Sequence, residues 1–181
     1  GVDRFGMAEA LTEAGAQVTL GDLIFGLGIN LPIRSLKLLA WIASIVAPVI
    51  TKMPVSWFYP IGKEQTQRVE RYPEYFLEND IIAGDFHFIR KFMPEQMAGK
   101  TIITNTVTKE DRALLKKAGV YCLITTTPNF NGRSFGTNVL EAALVALAGK
   151  SGPLDAAEYE ELLKKHDIQP GIEYFTVKGS V

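Results

Sequence analysis

The sequence contains a single cysteine, Cys122, and only two histidines, His87 and His166. One cysteine excludes a disulfide framework or a cysteine-based metal site within one chain, and it suits a reducing compartment. The two histidines do not form a pair at the spacing that zinc sites use, so we expect no bound metal. These shortages favour a cytoplasmic protein.

The sequence also lacks a strong excess of charge of either sign. Lys and Arg together number 19 and Asp and Glu 20, for a formal net charge of −1. Without an excess of basic residues, the composition gives no sign of a positive surface that would bind a phosphate backbone, so we expect no nucleic-acid partner. The chain contains no P-loop.

The longest apolar run, Leu38–Ile50, is 13 residues long and lies between Lys37 and Lys52. It is too short to cross a hydrocarbon layer of about 30 Å, so we expect no integral membrane segment. A buried helix or an oligomer interface, a membrane-surface segment and a substrate lid all fit such a run. We predict that residues 26–60 form a hydrophobic insertion and that its 36–59 region joins copies into a homo-oligomer.

Short apolar segments alternate with helix-forming segments through the rest of the chain. We predict strands at 16–22, 80–86, 101–106 and 120–126 and helices at 7–14, 88–93, 109–118 and 138–148. This alternation is typical of an α/β protein with a Rossmann-like, three-layer arrangement, a parallel sheet with helices on both faces. We assign residues 1–150 to a nucleotide-binding domain and residues 151–181 to a helical tail, with Asp155 as a candidate N-cap.

A glycine-containing turn, Gly1–Gly6, runs directly into the first predicted helix. Such a turn normally follows a strand, so we expect the first strand and an N-terminal domain to lie upstream of Gly1. Backbone N–H groups at a helix start suit a phosphate. Asp22 follows 21 residues after Gly1, where dinucleotide-binding folds place an acid on the ribose, and it favours NAD over NADP. The candidate cofactor-binding residues in the turn are Gly1, Asp3, Arg4, Phe5 and Gly6.

Polar residues follow the later predicted strands, and ligands of open α/β sheets bind at those strand ends. Asp85 and His87 are candidates for acid–base catalysis, although Asp85 could equally cap the next helix. Hydroxyl, amide and guanidinium groups in the next two loops suit a ribose, an amide or an anion, and the same groups also cap helices. The candidate cofactor-binding residues there are Thr104, Asn105, Thr125, Arg133 and Ser134.

Several long phrases of the sequence resemble a bacterial family named quinate 5-dehydrogenase. The phrases are GVDRFGMAEAL, GDLIF, IIAGDFHFIRKFMP, GKTIITNT and LITTTPNFNGRSFGTNVLEA. The resemblance implies a longer protein, a nicotinamide cofactor, and hydride transfer to or from a ring carbon that bears a hydroxyl or a ketone. By analogy with quinate and shikimate dehydrogenases, a Lys and an Asp of an N-terminal substrate domain would transfer the proton.

The sequence therefore supports two hypotheses about function. The first is an oxidoreductase that uses NAD or NADP, of the quinate/shikimate type, in which this chain supplies the cofactor-binding part. The second is a nucleotide- or metabolite-binding module without turnover, because the chain offers no obvious acid–base pair. In either case we expect a small-molecule ligand.

Overall fold

The structure, a computed structural model, describes residues 5–52, 54 and 68–175. Its first helix illustrates how the local sequence determines where a helix ends. Helix α1 spans Phe5–Glu13, close to the predicted bounds. Gly15 follows with φ at +88°, and its N–H donates to Thr12 O while Ala16 N–H donates to Leu11 O. This pair of bonds satisfies the last carbonyls of the helix, and glycine adopts the left-handed backbone at little cost.

The strand that we predicted at 16–22 is not a strand of the sheet. Only Leu20 bridges there, to Ile33, in an isolated antiparallel pair. Asp22, predicted to close a strand, instead begins a π-helical turn, Asp22–Gly26. The segment is β-prone by composition, but its apolar side chains pack into a local core rather than extending a ladder.

Helix α2 spans Leu36–Ile50 and is followed, after the gap in the described residues, by α3 at Glu74–Leu77. A core beneath α1 and α2 consists of the buried residues Ala8, Leu20, Ile33 and Leu39. Phe25 contributes a second cluster by edge-on contacts with the rings of Tyr75 and Phe76. In the part of the chain that the structure describes, no helix combines the length and apolarity needed to cross a membrane.

The chain divides into two compact units. Unit 1 contains residues 1–78 and 87–94, and unit 2 contains residues 79–86 and 95–181. Unit 2 carries the main sheet. It also contains the helices α5, α6 and α7, at Lys109–Lys117, Thr137–Leu147 and Ala156–Lys165. Helix α4 spans Phe86–Phe92, of which residues 87–92 belong to unit 1.

The main sheet of unit 2 has four strands in the order β1-β2-β3-β6 within the described residues. The strands are Ile81–Ala83, Thr101–Thr104, Cys122–Thr125 and Gly171–Tyr174. The parallel pairing that we predicted is confirmed for β1, β2 and β3, whereas β6 runs antiparallel to β3. The protein is therefore a mixed α/β protein with a small, partly antiparallel sheet.

The two faces of this sheet differ in burial. The register aligns Ile102 with Leu123, and both side chains are fully buried. On the other face Ile81 is 45% exposed, and Tyr174 is 65% exposed. β-branched residues make up all of β2 and half of β3, and they pack well on a pleated surface.

Capping residues define the helix starts of unit 2. Thr108 and Asp111 form the capping box that the spacing predicts, with each side chain accepting from the other's backbone N–H. Asp155 caps α7 as expected and forms a second box with Glu158. Helix α6, predicted to begin at residue 138, begins at Thr137, and its N-cap is Gly136.

Candidate functional site

Three parallel strands of unit 2 end on the same edge of the sheet. The segments that follow β1, β2 and β3 are Gly84–Asp85, Asn105–Thr106 and Thr126–Pro128, and together we call them the carboxyl edge. Ligands of open α/β sheets bind outside this end of the strands. The carboxyl edge is therefore the place where a ligand site is expected.

Two of the residues predicted to bind a cofactor, Thr104 and Thr125, instead form hydrogen bonds at the strand ends. The Thr104 hydroxyl donates to the Gly84 carbonyl oxygen at 2.7 Å, and the Thr125 hydroxyl donates to the Thr127 carbonyl oxygen at 2.8 Å. Thr104 and Thr125 are at most 1% exposed. Their side chains shape the edge, and a ligand outside the sheet would meet other groups.

The loop after β2 has an unusual backbone. Thr106 has φ at +54°, a left-handed conformation that few β-branched residues adopt. Its hydroxyl donates to Asn105 Oδ1 at 3.4 Å, and Asn105 itself is 1% exposed. Strained backbone of this kind concentrates at functional loops, so Thr106 is a better candidate for ligand contact than its buried neighbour.

A β-hairpin follows β3, formed by β4 at Asn129–Phe130 and β5 at Arg133–Ser134. Its turn is Asn131-Gly132, with φ at +53° and +84°. This dipeptide is a strong hairpin signal, which our prediction of a plain loop overlooked. Ser134 is fully buried, and its hydroxyl oxygen accepts from Val107 N–H at 2.9 Å. Ser134 thus anchors the hairpin to the loop after β2.

The start of α6 lies next to Thr106. Gly136 is the N-cap, and no side chain caps the helix there. A methyl group at Gly136 would lie 3.1 Å from Asn138 Oδ1 and 3.7 Å from Thr106 Oγ1. The first backbone N–H groups of an α-helix have no partner within the helix and carry partial positive charge. A hydroxyl, an amide oxygen and a helix start therefore surround one small space.

Arg133 lies in β5 of the hairpin, and Phe135 follows it before α6. Arg133 is exposed, and its guanidinium lies 5.8 Å from the centroid of the Phe135 ring. Phe130 packs against Phe135 with ring centroids 5.8 Å apart, and both rings stay partly exposed. The predicted anion-binding arginine is accessible, and an aromatic surface accompanies it.

Thr126 was not among the predicted ligands. Its hydroxyl oxygen is buried and has no hydrogen-bond partner among the described residues. Because a buried polar group without a partner is costly, such a group calls for a specific explanation. The sequence could not single out Thr126, because it lies between two further threonines, Thr125 and Thr127, and only the fold distinguishes the three.

Arg112 is a second residue that sequence analysis missed. It lies on α5 with its side chain 11% exposed, and its guanidinium forms an ion pair with Glu173 of β6. Its Nε–H donates to the Gly132 carbonyl oxygen at 3.3 Å. Arg112 therefore connects the hairpin turn and the edge strand of the sheet to one helix.

The other half of the predicted site belongs to unit 1. Gly1, Asp3 and Arg4 lie outside the described residues. Phe5 begins α1 and packs against the core of unit 1, whereas Gly6 is exposed with open space around it. Asp22 is partly buried at the start of its π-helical turn.

Asp85 and His87, the candidates for acid–base catalysis, flank the start of α4. Asp85 directly precedes the helix, His87 lies in its first turn, and both are partly buried. Asp85 is the only ionisable residue in the carboxyl edge. A proton transferred by a residue of the carboxyl edge would therefore pass to or from the carboxyl group of Asp85.

The sheet and its polar edge define a mixed α/β protein with a candidate ligand site. A family model described as Domain of unknown function (DUF8754) matches residues 1–175, and the chain belongs to that family. No curated protein and no solved structure matches the chain.

Proposed function

We propose that the chain binds a phosphate-bearing nucleotide at the carboxyl edge of unit 2. One observation carries the proposal: the loop after β2 brings the Thr106 hydroxyl against the start of α6, which no side chain caps. The N–H groups of a helix start form a ready site for a phosphate, and the neighbouring Thr106 hydroxyl would donate to it once it releases Asn105 Oδ1. The accessible Arg133 supplies positive charge on the adjoining hairpin.

Two exposed aromatic rings beside the carboxyl edge also support a ligand there. The exposed rings of Phe130 and Phe135 suit a flat aromatic group such as a nucleobase.

We further propose that the nucleotide is NAD or NADP and that the chain is the cofactor-binding part of an oxidoreductase of the quinate/shikimate type. In that reaction the carbon bearing the hydroxyl loses a hydride to the nicotinamide, and a base takes the hydroxyl proton. The support for this proposal is the resemblance of the sequence phrases. A Rossmann-like three-layer arrangement, a cytoplasmic location and acid–base roles for Asp85 and His87 are parts of this same proposal.

A fluorescence titration of NADH tests the binding step. We expect saturable binding with a dissociation constant below about 1 mM, in the range usual for enzyme ligands. Gly136→Ala should weaken binding at least about tenfold, because its methyl group would occupy the space between Thr106 and the helix start. The matched control is Gly152→Ala, where a methyl group would meet nothing within 4 Å. Absence of saturation, or equal effects of both variants, would contradict the proposal.

A binding module without turnover is the second candidate. The carboxyl edge favours it in one respect, since hydroxyl and amide groups dominate there and Asp85 is its single ionisable residue. Incubating the protein with NAD and quinate or shikimate separates the two candidates. Growth of the absorbance of reduced cofactor would support the oxidoreductase, and saturable NADH binding without such growth would support the module.

A further inference from the structure

Helix α2 of unit 1 has two apolar faces. One packs inward, where Leu39 is 2% exposed and Ile42 contacts the same core. The other carries Leu38, Trp41 and Ile45, which are 46%, 61% and 55% exposed. Their spacing of three and four residues places them in one row along the helix. We call these three residues the α2 stripe.

The polar groups beside the α2 stripe are satisfied within the helix. The Ser44 hydroxyl donates to the Trp41 carbonyl oxygen at 2.7 Å, and the Thr51 hydroxyl donates to the Ala47 carbonyl oxygen at 2.8 Å. Such back-bonding removes the need of these hydroxyls for water. The helix could therefore enter a medium of low polarity at little cost from these groups.

The charged residues of the chain segment that carries the α2 stripe are all positive. Arg34, Lys37 and Lys52 are exposed, and the sequence contains no Asp or Glu from Leu23 to Lys63. Two copies that pair through this surface would bring like charges together, with no carboxylate of the segment to offset them. An anionic partner instead matches both the apolar row and the charges. Lys and Arg beside apolar residues that include Trp are typical of interfacial helices on acidic lipid.

We propose that the α2 stripe docks on the surface of an anionic phospholipid bilayer. Leu38, Trp41 and Ile45 enter the interface, and the three cations contact the lipid headgroups. The helix lies on the membrane and does not cross it, in keeping with the absence of a spanning helix among the described residues. This inference concerns unit 1 and does not depend on nucleotide binding at unit 2.

Co-sedimentation of the protein with vesicles tests the proposal. We expect binding to vesicles of equimolar phosphatidylcholine and phosphatidylserine and little binding to pure phosphatidylcholine. The double variant Trp41→Gln/Ile45→Gln should bind the acidic vesicles at least about tenfold more weakly. The matched control is Val139→Gln/Leu147→Gln on α6, which removes side chains of 57% and 59% exposure and should bind as the unmodified protein does.

The charge contribution has its own pair of variants. Lys37→Gln should weaken binding to acidic vesicles about fivefold, and Lys117→Gln on α5 should leave it unchanged. Equal binding to both vesicle types, or equal loss in the α2 and α6 variants, would overturn the proposal. The proposal would also be overturned if the protein did not bind vesicles and instead sedimented without lipid as a dimer, and if Trp41→Gln dissociated that dimer. That last result would support the homo-oligomer that the sequence predicts.

Discussion

Val107 and Ser134 are joined by two hydrogen bonds. Ser134 N–H donates to the Val107 carbonyl oxygen at 3.0 Å, and Val107 N–H donates to Ser134 Oγ at 2.9 Å. Both residues are fully buried. The pair joins the loop after β2 to the hairpin that leads into α6, so it positions the two sides of the proposed nucleotide site.

Ser134→Ala should reduce the free energy of unfolding by about 1–3 kcal/mol, because Val107 N–H would remain buried without an acceptor. Denaturant unfolding followed by circular dichroism measures this change. Ser151→Ala, at an exposed serine of the loop before α7, is the control and should change stability by less than about 0.5 kcal/mol. Equal free energies of unfolding for the two variants would show that the hydrogen bond from Val107 N–H to Ser134 Oγ does not stabilise the fold.

Gly171→Ala should destabilise the protein by about 1–3 kcal/mol. A methyl group at Gly171 would lie 2.5 Å from Thr125 Oγ1, while the nearest other atoms lie 3.8 Å away. Thr125→Ala removes that oxygen, so the double variant should be more stable than the sum of the single effects predicts. A double-mutant cycle of unfolding free energies checks this coupling. Strict additivity would contradict the close packing of β6 on the end of β3.

Arg112 and Glu173 should respond unequally to substitution. Arg112 is largely buried, whereas Glu173 is 41% exposed and can turn to water when its partner is removed. Glu173→Ala should therefore destabilise the protein more than Arg112→Met does, because it leaves a buried charge without its counterion. Thermal unfolding of both variants decides the order. The reverse order would show that the bond from Arg112 to the hairpin turn dominates.

Cys122 should be a probe of unfolding. Burial raises the pKa of its thiol, so the reactive thiolate is scarcer in the folded chain than in the unfolded one. The native protein should react with a thiol reagent at least about tenfold more slowly than the unfolded protein. The unfolded thiol ionises first as the pH rises, so stability present below about pH 8.5 should decline as the pH passes through the folded pKa. Equal reaction rates in both states would contradict the burial.

The elements that were predictable are those whose signals are local. Thr108 and Asp111 lie three residues apart, so their capping box is visible in the sequence. The β-branched run of β2 and the apolar run of β3 likewise mark short buried strands. Strand β6 was not predicted, because its place depends on pairing with β3 and on the distant contact between Arg112 and Glu173.

The candidate site was predictable by location but not by role. Strand ends and polar loops indicated one edge of the sheet, and β1, β2 and β3 do end together at that edge. Thr104, Thr125 and Ser134 were chosen for their hydroxyl groups, yet the fold uses those hydroxyls to join loops and strand ends. Whether a threonine faces a neighbour or a ligand depends on tertiary contacts that residue type alone does not reveal. Thr106 and Thr126 stand out only once the backbone is known.

Mapping the backbone amide resonances during an NADH titration tests the central claim most directly. The account predicts saturable shifts at Gly84, Thr106, Thr126 and the start of α6, with little change along α7. Gly136→Ala should reduce those shifts at equal NADH, and Gly152→Ala should not. Shifts that do not saturate, or that avoid the carboxyl edge altogether, would contradict the account.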